Sequence, residues 1–325
     1  MRRIIMVMYE GATALDVTGP SEVFASASRH AGKSIYRLEL TSAGGGVCAT
    51  STGLPMHTRD LLSLRPAVAD TVIVAGGFGV AVAAAMAQRP LLSWLQRAAK
   101  TAERVSSVCS GAFVLAAADL LDGRRAATHW IGCRRLARMY PRIKVDHNAI
   151  YVSDGKLWTS AGVSTGIDMA LAMVEQDHGS ALADTIAAEL VLYVRRPGFQ
   201  SQFSESLVLQ MRASDPMHQA AAWVRRNLRA ADVESLARAA AMSVRTLHRR
   251  CREHLGMTPA KFIDRARVEH ARVLLSRGSI GAKQLAERCG FGSAGNMKRT
   301  FLRELGISPR DYQLLHTRGS KISAR

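Results

Sequence analysis

Cysteine is scarce and badly spaced for any chemistry that needs it in groups. There are five, at positions 48, 109, 133, 251 and 289, an odd number without metal-like spacing. That excludes a disulfide framework and a cysteine-rich metal centre, and it points to a reduced, cytoplasmic setting. Long apolar runs are missing too. No window reaches the roughly 18 apolar residues of a membrane span, since even the alanine-rich run from Gly79 is broken by Gln88, Arg89 and Pro90. The opening MRRIIMVMYEG has a basic start, but its apolar run is too short for a signal core and reads as a first buried strand. No metal or cofactor motif is legible.

Acidic residues are the third scarcity, and a local one. Residues 223–325 hold 22 Lys and Arg against 8 Asp and Glu, a net +14, while residues 1–222 hold 22 against 18, a net +4. These sum to the +18 of the whole chain. Clustered arginine on a small domain concentrates polyanions, so nucleic acid is the expected partner of the last third. At 325 residues the chain has room for two cores.

The basic third repeats itself. LGMTPAKF at 255–262 stands against LGISPRDY at 305–312, LARAAAM at 236–242 against LAERCGF at 285–291, and Arg249 against Arg299. A helix pair and its exit therefore recur 49 to 50 residues apart. Asp232 and Ser243 are suited to cap helices, and Leu247 and Cys251 form an inward stripe that Met297 and Phe301 repeat. Arg245, Thr246, His248, Arg249 and Arg252 fall on the opposite flank, as do Asn296, Lys298, Arg299 and Arg303 in the second copy. Thr258 and Pro259 open a long connecting helix, which Gly278 ends. An apolar side that fixes a helix and a short polar side that enters a groove is what reading DNA requires. Arg245, Thr246, His248 and Asn296 are the expected base readers. Arg249, Arg252, Lys298 and Arg299 are the expected phosphate contacts.

The first two thirds alternate strands, tight turns and helices, which predicts an α/β layer sandwich. Strands are expected at Ile4 to Tyr9, Tyr36 to Thr41, Thr71 to Ala75 and Val105 to Val108. Asp16 is expected in a loop and Pro20 at the start of a helix. Gly76 and Gly77 either let the backbone approach a neighbour closely or present N–H groups. Cys109 stands where a strand turns into a small-residue helix, as in a nucleophile elbow. It is either a thiolate favoured by the helix end or a small buried hydrophobe. Ser110 follows it, so a base must come from elsewhere, and His129, Asp16 and Glu22 are the candidates. WTSAGVSTGIDMAL at 158–171 adds another strand, glycine turn and helix, with Ser160, Gly162 and Thr165 near a sheet edge. Ala181 to Val194 is a helical run, and RRPGFQSQFS then breaks it.

With GPSEVF at 19–24, VAGG at 74–77, VCSGAFVLAAADLLDGRRAATHW at 108–130 and WTSAGVSTGIDMAL, the first part resembles the DJ-1/PfpI class of glutamine-amidotransferase-like domains. The resemblance implies a flavodoxin-like sandwich with an acidic residue, Asp16, near the elbow cysteine, Cys109. Peptidase-like members carry histidine after that cysteine. Ser110 therefore argues against hydrolysis and for a sensing pocket of Asp16, Gly76, Gly77, Cys109, Ser110 and His129.

The last third, through LAERCGFGSAGNMKRTFLRELGISPRDY and MSVRTLHRRCREHLGMTPAKF, resembles the AraC/XylS regulators. That implies an all-α domain with two helix-turn-helix units joined by a long helix, its reading helices at Val244 to Glu253 and Ala294 to Arg303. The combination resembles the GlxA-type subgroup, whose members sense small nitrogenous metabolites. The expected organisation is 1–194 sensor and dimerisation domain, 195–217 linker, 218–317 DNA-binding domain and 318–325 disordered basic tail. The expected function is sequence-specific transcription regulation on a duplex operator. A homodimer would answer to a small-molecule effector and recruit RNA polymerase if it activates. A cysteine-dependent enzyme using Cys109 and a nucleoid-binding protein without site preference are the alternatives.

Overall fold

Ile4, Ile5, Met6 and Val7 are all but fully buried, and the strand that holds them, β1 (Arg2–Val7), is central. An unbroken apolar run suits this place because helices cover both faces of the sheet. In the computed structural model β1 pairs in parallel with β2 (Tyr36–Ser42) on one side and β5 (Asp70–Val74) on the other. A hairpin of β3 (Gly46–Ala49) and β4 (Pro55–Asp60) extends the β2 edge. Beyond β5 come β6 (Arg104–Val108) and β10 (Leu157–Ser160), both parallel, and antiparallel β9 (Tyr151–Asp154). The order is β3-β4-β2-β1-β5-β6-β10-β9, with a separate pair β7 (Arg125–Ala126) and β8 (Lys144–Val145). The parallel core β2-β1-β5-β6-β10 is the flavodoxin-like arrangement, in which ligands bind beyond the carboxyl ends of the strands.

Helices α1 (Ala14–His30), α6 (Val163–His178) and α7 (Ser180–Glu189) pack together as one group. A second group is α2 (Gly79–Ala87), α3 (Arg89–Thr101) and α4 (Gly111–Ala117). Trp130–Met139 forms α5. The α1 helix begins before Pro20, so Asp16 lies in its first turn rather than in a loop, and Pro20 is interior. Packing overrides the local preference here. A Cβ on Gly166 would stand 3.2 Å from the Pro20 ring and one on Gly19 would meet Ile167 at 3.1 Å, so two glycines let α1 and α6 close around the proline. Within the run expected from Ala181 to Val194 the helix extends to Glu189, turns follow at Leu190 and Val191, and the Val194 end lies outside the described residues.

The structure describes residues 1–192, 196, 198, 202, 216–252, 257–277, 280–305 and 307–313. The Glu253 end of the first reading helix, the stop at Gly278, the linker residues Phe199, Phe203 and Leu207, and the tail 318–325 lie outside these. The chain divides into two units, Met1–Gln202 and Phe203–Arg325.

The second unit is helical: α8 (Pro216–Arg226), α9 (Val233–Ala239), α10 (Val244–Arg250), α11 (Pro259–Arg277), α12 (Ala282–Arg288) and α13 (Ala294–Leu305). Asp232 caps α9, accepting from the Ser235 N–H at 2.7 Å, while Ser235 Oγ takes the Asp232 N–H at 2.9 Å. Leu236, Leu247, Cys251, Phe262 and Ile263 are buried around the first helix pair. Leu285, Cys289, Met297 and Phe301 are buried around the second. Tyr312 closes that second core. Its ring lies edge-on to Phe301, and its hydroxyl accepts from buried Arg272 at 3.0 Å.

Candidate functional site

Three strand ends and the start of α1 meet around Cys109. The residue follows β6 directly, with φ of 56°, a left-handed conformation unusual for a side chain with a Cβ. Backbone bonds hold it there: its N–H donates to Ser160 O at 2.9 Å, and its carbonyl accepts from Thr128 Oγ1 at 2.8 Å. Gly111 permits the sharp turn into α4, because a Cβ on it would stand 2.4 Å from the Val74 carbonyl oxygen. This is a strained elbow of the kind that lifts a side chain above a sheet.

Asp16 reaches the same point from α1. A Cβ at Gly76 would lie 2.6 Å from Asp16 Oδ2 and 2.7 Å from Cys109 Cβ, so glycine is needed for the two to share the space. The N–H groups of the glycine pair are not offered outward. Gly76 N–H donates to Asp16 Oδ2 at 3.1 Å and Gly77 N–H to Ser110 Oγ at 2.9 Å, while the Ser110 hydroxyl returns a bond to Gly77 O at 2.6 Å. Of the two roles open to these glycines, close approach is the one realised. His129 arrives from the other side as the N-cap of α5, with Nδ1 accepting from Ile131 N–H at 3.4 Å, which places the ring proton on Nε2. Gly162, at φ 150°, joins it to the sulfur, since a Cβ there would stand 3.3 Å from both Cys109 Sγ and His129 Cδ2. Asp16, Gly76, Gly77, Cys109, Ser110 and His129 thus converge, while Glu22, an exposed α1 residue, pairs with Arg29.

Electrostatics favours neutral groups. Burial, then the nearby Asp16 carboxylate, pushes the Cys109 thiol up to about 12, with Ser110 hydrogen bonds opposing. Burial pushes Asp16 up to about 7, against the backbone N–H groups of Gly76 and Val163. His129 is lowered by burial and stays neutral. Of the two readings of Cys109, a thiolate favoured by the helix end and a small buried hydrophobe, desolvation favours the second: α4 supplies a short dipole, whereas Cys109 is 5% exposed.

Two site residues escaped the sequence. Tyr9 is buried beside Gly77, its hydroxyl without a hydrogen-bond partner among the described residues. Thr128, quoted only as part of a motif, fixes the Cys109 carbonyl. Thr128 lies next in sequence to His129 and Tyr9 was expected only as the end of the first strand, and the register of strand and loop turns both inward. Among the described residues no group of three or more His, Cys, Asp or Glu is placed to hold a metal.

In the second unit the two reading helices match at an offset of 50. Ser243 Oγ accepts from Thr246 N–H at 3.2 Å, and Ser293 Oγ from Asn296 N–H at 3.1 Å. Buried Leu247 and Cys251 correspond to buried Met297 and Phe301. Arg249 and Arg299 then fall at equivalent exposed positions, as do Arg245, Arg252 and Lys298 on their own flanks. His248 and Asn296 are half-buried. Thr246 Oγ1 lies 2.9 Å from Ser243 Oγ within the cap, and Asn296 Nδ2 donates to Phe291 O at 3.0 Å, tying it to the turn. Interlocking pairs hold the second reading helix against α11: Arg265 with Glu304 at 3.1 Å and Arg303 with Asp264 at 2.6 Å. Arg267 of α11 donates to the carbonyls of Leu228 at 3.2 Å and Ala231 at 2.7 Å, ahead of α9.

An α/β domain with a cysteine elbow, followed by a basic double helix-turn-helix reader, defines a DNA-binding regulator with a second, α/β domain. The chain belongs to the DJ-1/PfpI family, whose model matches residues 2–176, and carries an AraC-type helix-turn-helix domain matched over residues 236–314. It is 28% identical to the HTH-type transcriptional regulator GbdR of Pseudomonas aeruginosa, over 94% of this chain and 82% of that one. Against the HTH-type transcriptional regulator GlxA of Rhizobium meliloti it is 28% identical over 95% and 94%. The isonitrile hydratase of Pseudomonas putida is 32% identical over 61% of this chain and 82% of that enzyme. The protein is a DNA-binding transcription regulator of the GlxA type.

Proposed function

We propose that this regulator is switched by a small nitrogenous metabolite bound beside Cys109, in a pocket lined by Asp16, Gly76, Gly77, Ser110 and His129. The observation that carries this reading is a set of polar atoms with no hydrogen-bond partner among the described residues: Tyr9 Oη, Asp16 Oδ1 and Thr13 Oγ1. Buried polar groups are ordinarily satisfied, so three orphans enclosed around one glycine pair mark where a polar ligand gains hydrogen bonds once the site opens to admit it. With Oδ2 accepting from the Gly76 N–H, the proton that burial keeps on Asp16 sits on Oδ1, so this carboxyl and the Tyr9 phenol both donate, to a carbonyl, a carboxylate or a lone-pair nitrogen. Together they suit a small molecule whose nitrogen and oxygen atoms accept hydrogen bonds.

On the DNA side, Arg245, Thr246, His248 and Asn296 read base edges, and Arg249, Arg252, Lys298 and Arg299 hold phosphates. A homodimer in the cytoplasm presents two such readers to repeated half-sites and contacts RNA polymerase where it activates. Effector binding biases the DNA-competent state by its differential affinity for two states of the protein. Genome-wide mapping of bound sites, followed by gel shifts on a recovered fragment with metabolites of the adjacent genes, tests this. Binding that no such metabolite alters would remove the effector from the account, and binding indifferent to sequence would remove the reading roles.

Catalysis at Cys109 is the second reading, favoured by the strained elbow, by Asp16 beside it and by the similarity to an isonitrile hydratase. A thiol pushed up to about 12 and a neutral His129 outside a charge relay speak against it. Turnover of an isonitrile that Cys109→Ser abolishes would establish it.

A further inference from the structure

The first unit does not let go of the chain where α7 ends. Three later residues are tied back to it. The Arg196 N–H donates to Asp168 Oδ1 at 3.0 Å, and its guanidinium grips Asp168 Oδ2 at 3.0 and 2.6 Å and Ser164 Oγ at 2.9 Å. The Gly198 carbonyl accepts from the N–H groups of Ile150 at 2.8 Å and Tyr151 at 3.3 Å. Only glycine fits there, since a Cβ would stand 2.6 Å from Tyr151 O. Gln202 donates its N–H to Asn148 O at 2.8 Å and its amide to Thr128 O and Ala149 O, both at 3.0 Å.

Each set of anchors connects to the Cys109 site through a hydrogen bond or a short stretch of chain. Thr128 holds the Cys109 carbonyl and precedes His129. Ser164 and Asp168 lie on α6, whose first turn follows Gly162, the residue against the sulfur. Ile150 O accepts from Ala161 N–H at 2.7 Å, immediately before Gly162. Asp168 is 5% exposed, so its carboxylate depends on Arg196 to offset its desolvation. Phe203, the next residue after Gln202, begins the unit that carries the DNA-reading helices.

We propose that Arg196 and Gln202 are positioning residues that couple the state of the Cys109 site to the attachment of the chain leading to the DNA-binding unit. Displacing Thr128 or the first turn of α6 loosens the attachment, and loosening the attachment opens the site. The coupling is reciprocal because Thr128 and the first turn of α6 bear on both. Its regulatory meaning rests on the effector pocket proposed above. The test does not.

Full-length Arg196→Ala and Gln202→Ala are treated with iodoacetamide at pH 8.5, and alkylation is followed at Cys109 and at Cys48, a buried thiol on β3 that shares none of these contacts. Expected is alkylation of Cys109 at least fivefold faster in each variant, with Cys48 unchanged. In the other direction, wild-type protein carrying a single adduct at Cys109 should exchange the Ile150, Arg196 and Gln202 amide hydrogens at least fivefold faster, with the Val72 amide in β5 unaffected. Unaltered Cys109 alkylation, or a rise in step with Cys48, overturns the proposal, as does unaltered exchange or exchange that accelerates equally at Val72. Coupling found in a protein whose DNA binding answers to no small molecule would sink the effector pocket and leave the coupling standing. A metabolite-responsive protein without it would sink the coupling alone.

Discussion

Asp16 sets the pH behaviour of the first unit. Its carboxyl, ordinarily near 3.8, is pushed up to about 7 by burial. The native state therefore keeps a proton that the unfolded chain has lost between pH ~4 and ~7, and stability falls as pH rises through that window. Below it both states are protonated and nothing is lost. Above it the full penalty applies, on the order of 4 kcal/mol for a shift of about three units. Asp16→Asn keeps the shape and an acceptor for Gly76 N–H but cannot ionise. Relative to wild type it should gain stability steadily from pH 4 to 8, read as the urea midpoint at each pH. A difference flat across that range would show that the carboxyl is not held neutral. Gly76→Ala, by contrast, should fail at every pH. Its Cβ would lie 2.6 Å from Asp16 Oδ2, 2.7 Å from Cys109 Cβ and 2.9 Å from Ser110 N, two of them on backbone or at the root of a side chain. The expected loss is about 3 kcal/mol or more by overpacking, visible as a lowered thermal midpoint. These contacts also mark what the sequence could disclose. VAGG and VCSG announced a turn and an elbow, but that a carboxyl and a thiol share the space of one absent methyl is a matter of tertiary register. The neutral thiol was hidden for the same reason, because burial depends on what packs over the residue.

The helix-turn-helix copies were legible as elements because capping residues and apolar spacing act over a few residues. Ser243, Asp232 and the Ala294–Leu305 helix all stand where local chemistry puts them. Pro20 shows the limit, since its place inside α1 is decided by two glycines that let α6 approach. The two turns make an internal comparison. Ala241 in the first copy and Gly290 in the second both have positive φ, 50° and 78°. A left-handed alanine is strained by about 1–2 kcal/mol, part of which glycine's extra unfolded-state entropy cancels. Ala241→Gly should accordingly stabilise the second unit by about 0.5–1 kcal/mol. Gly290→Ala should destabilise it by about 2 kcal/mol or more, adding the left-handed strain to a Cβ 2.2 Å from the Leu228 carbonyl oxygen. Denaturant midpoints of the two variants should move in opposite directions. Movement in the same direction would mean that the two turns are not equivalent despite their matched sequence positions.

Across the whole molecule, charge separates the labour of the two units: +14 of +18 lies in residues 223–325. Affinity for a duplex therefore comes with counterion release, and log K should fall linearly with log salt, by about 0.9 for each phosphate neutralised. On the proposed assignment the reading helices divide this charge into base readers and phosphate clamps. Arg249 and Arg299 are equivalent by the internal repeat, and equivalent positions in two copies meet the regular backbone of DNA more readily than two unrelated bases. Arg299→Ala should weaken binding to operator and to unrelated DNA alike and make the salt dependence shallower by about one. Arg245 has a threonine-and-serine cap beside it and no arginine counterpart at Gly295. It can report a base that only one half of the operator contains. Arg245→Ala should cost about 1–3 kcal/mol on the operator, far less on unrelated DNA, and relax preference at one position. Titrations of both variants on operator and scrambled duplexes, each at several salt concentrations, separate the two roles. If Arg245→Ala flattened the salt slope while leaving discrimination intact, and Arg299→Ala did the reverse, the assignment of readers and clamps would have to be exchanged.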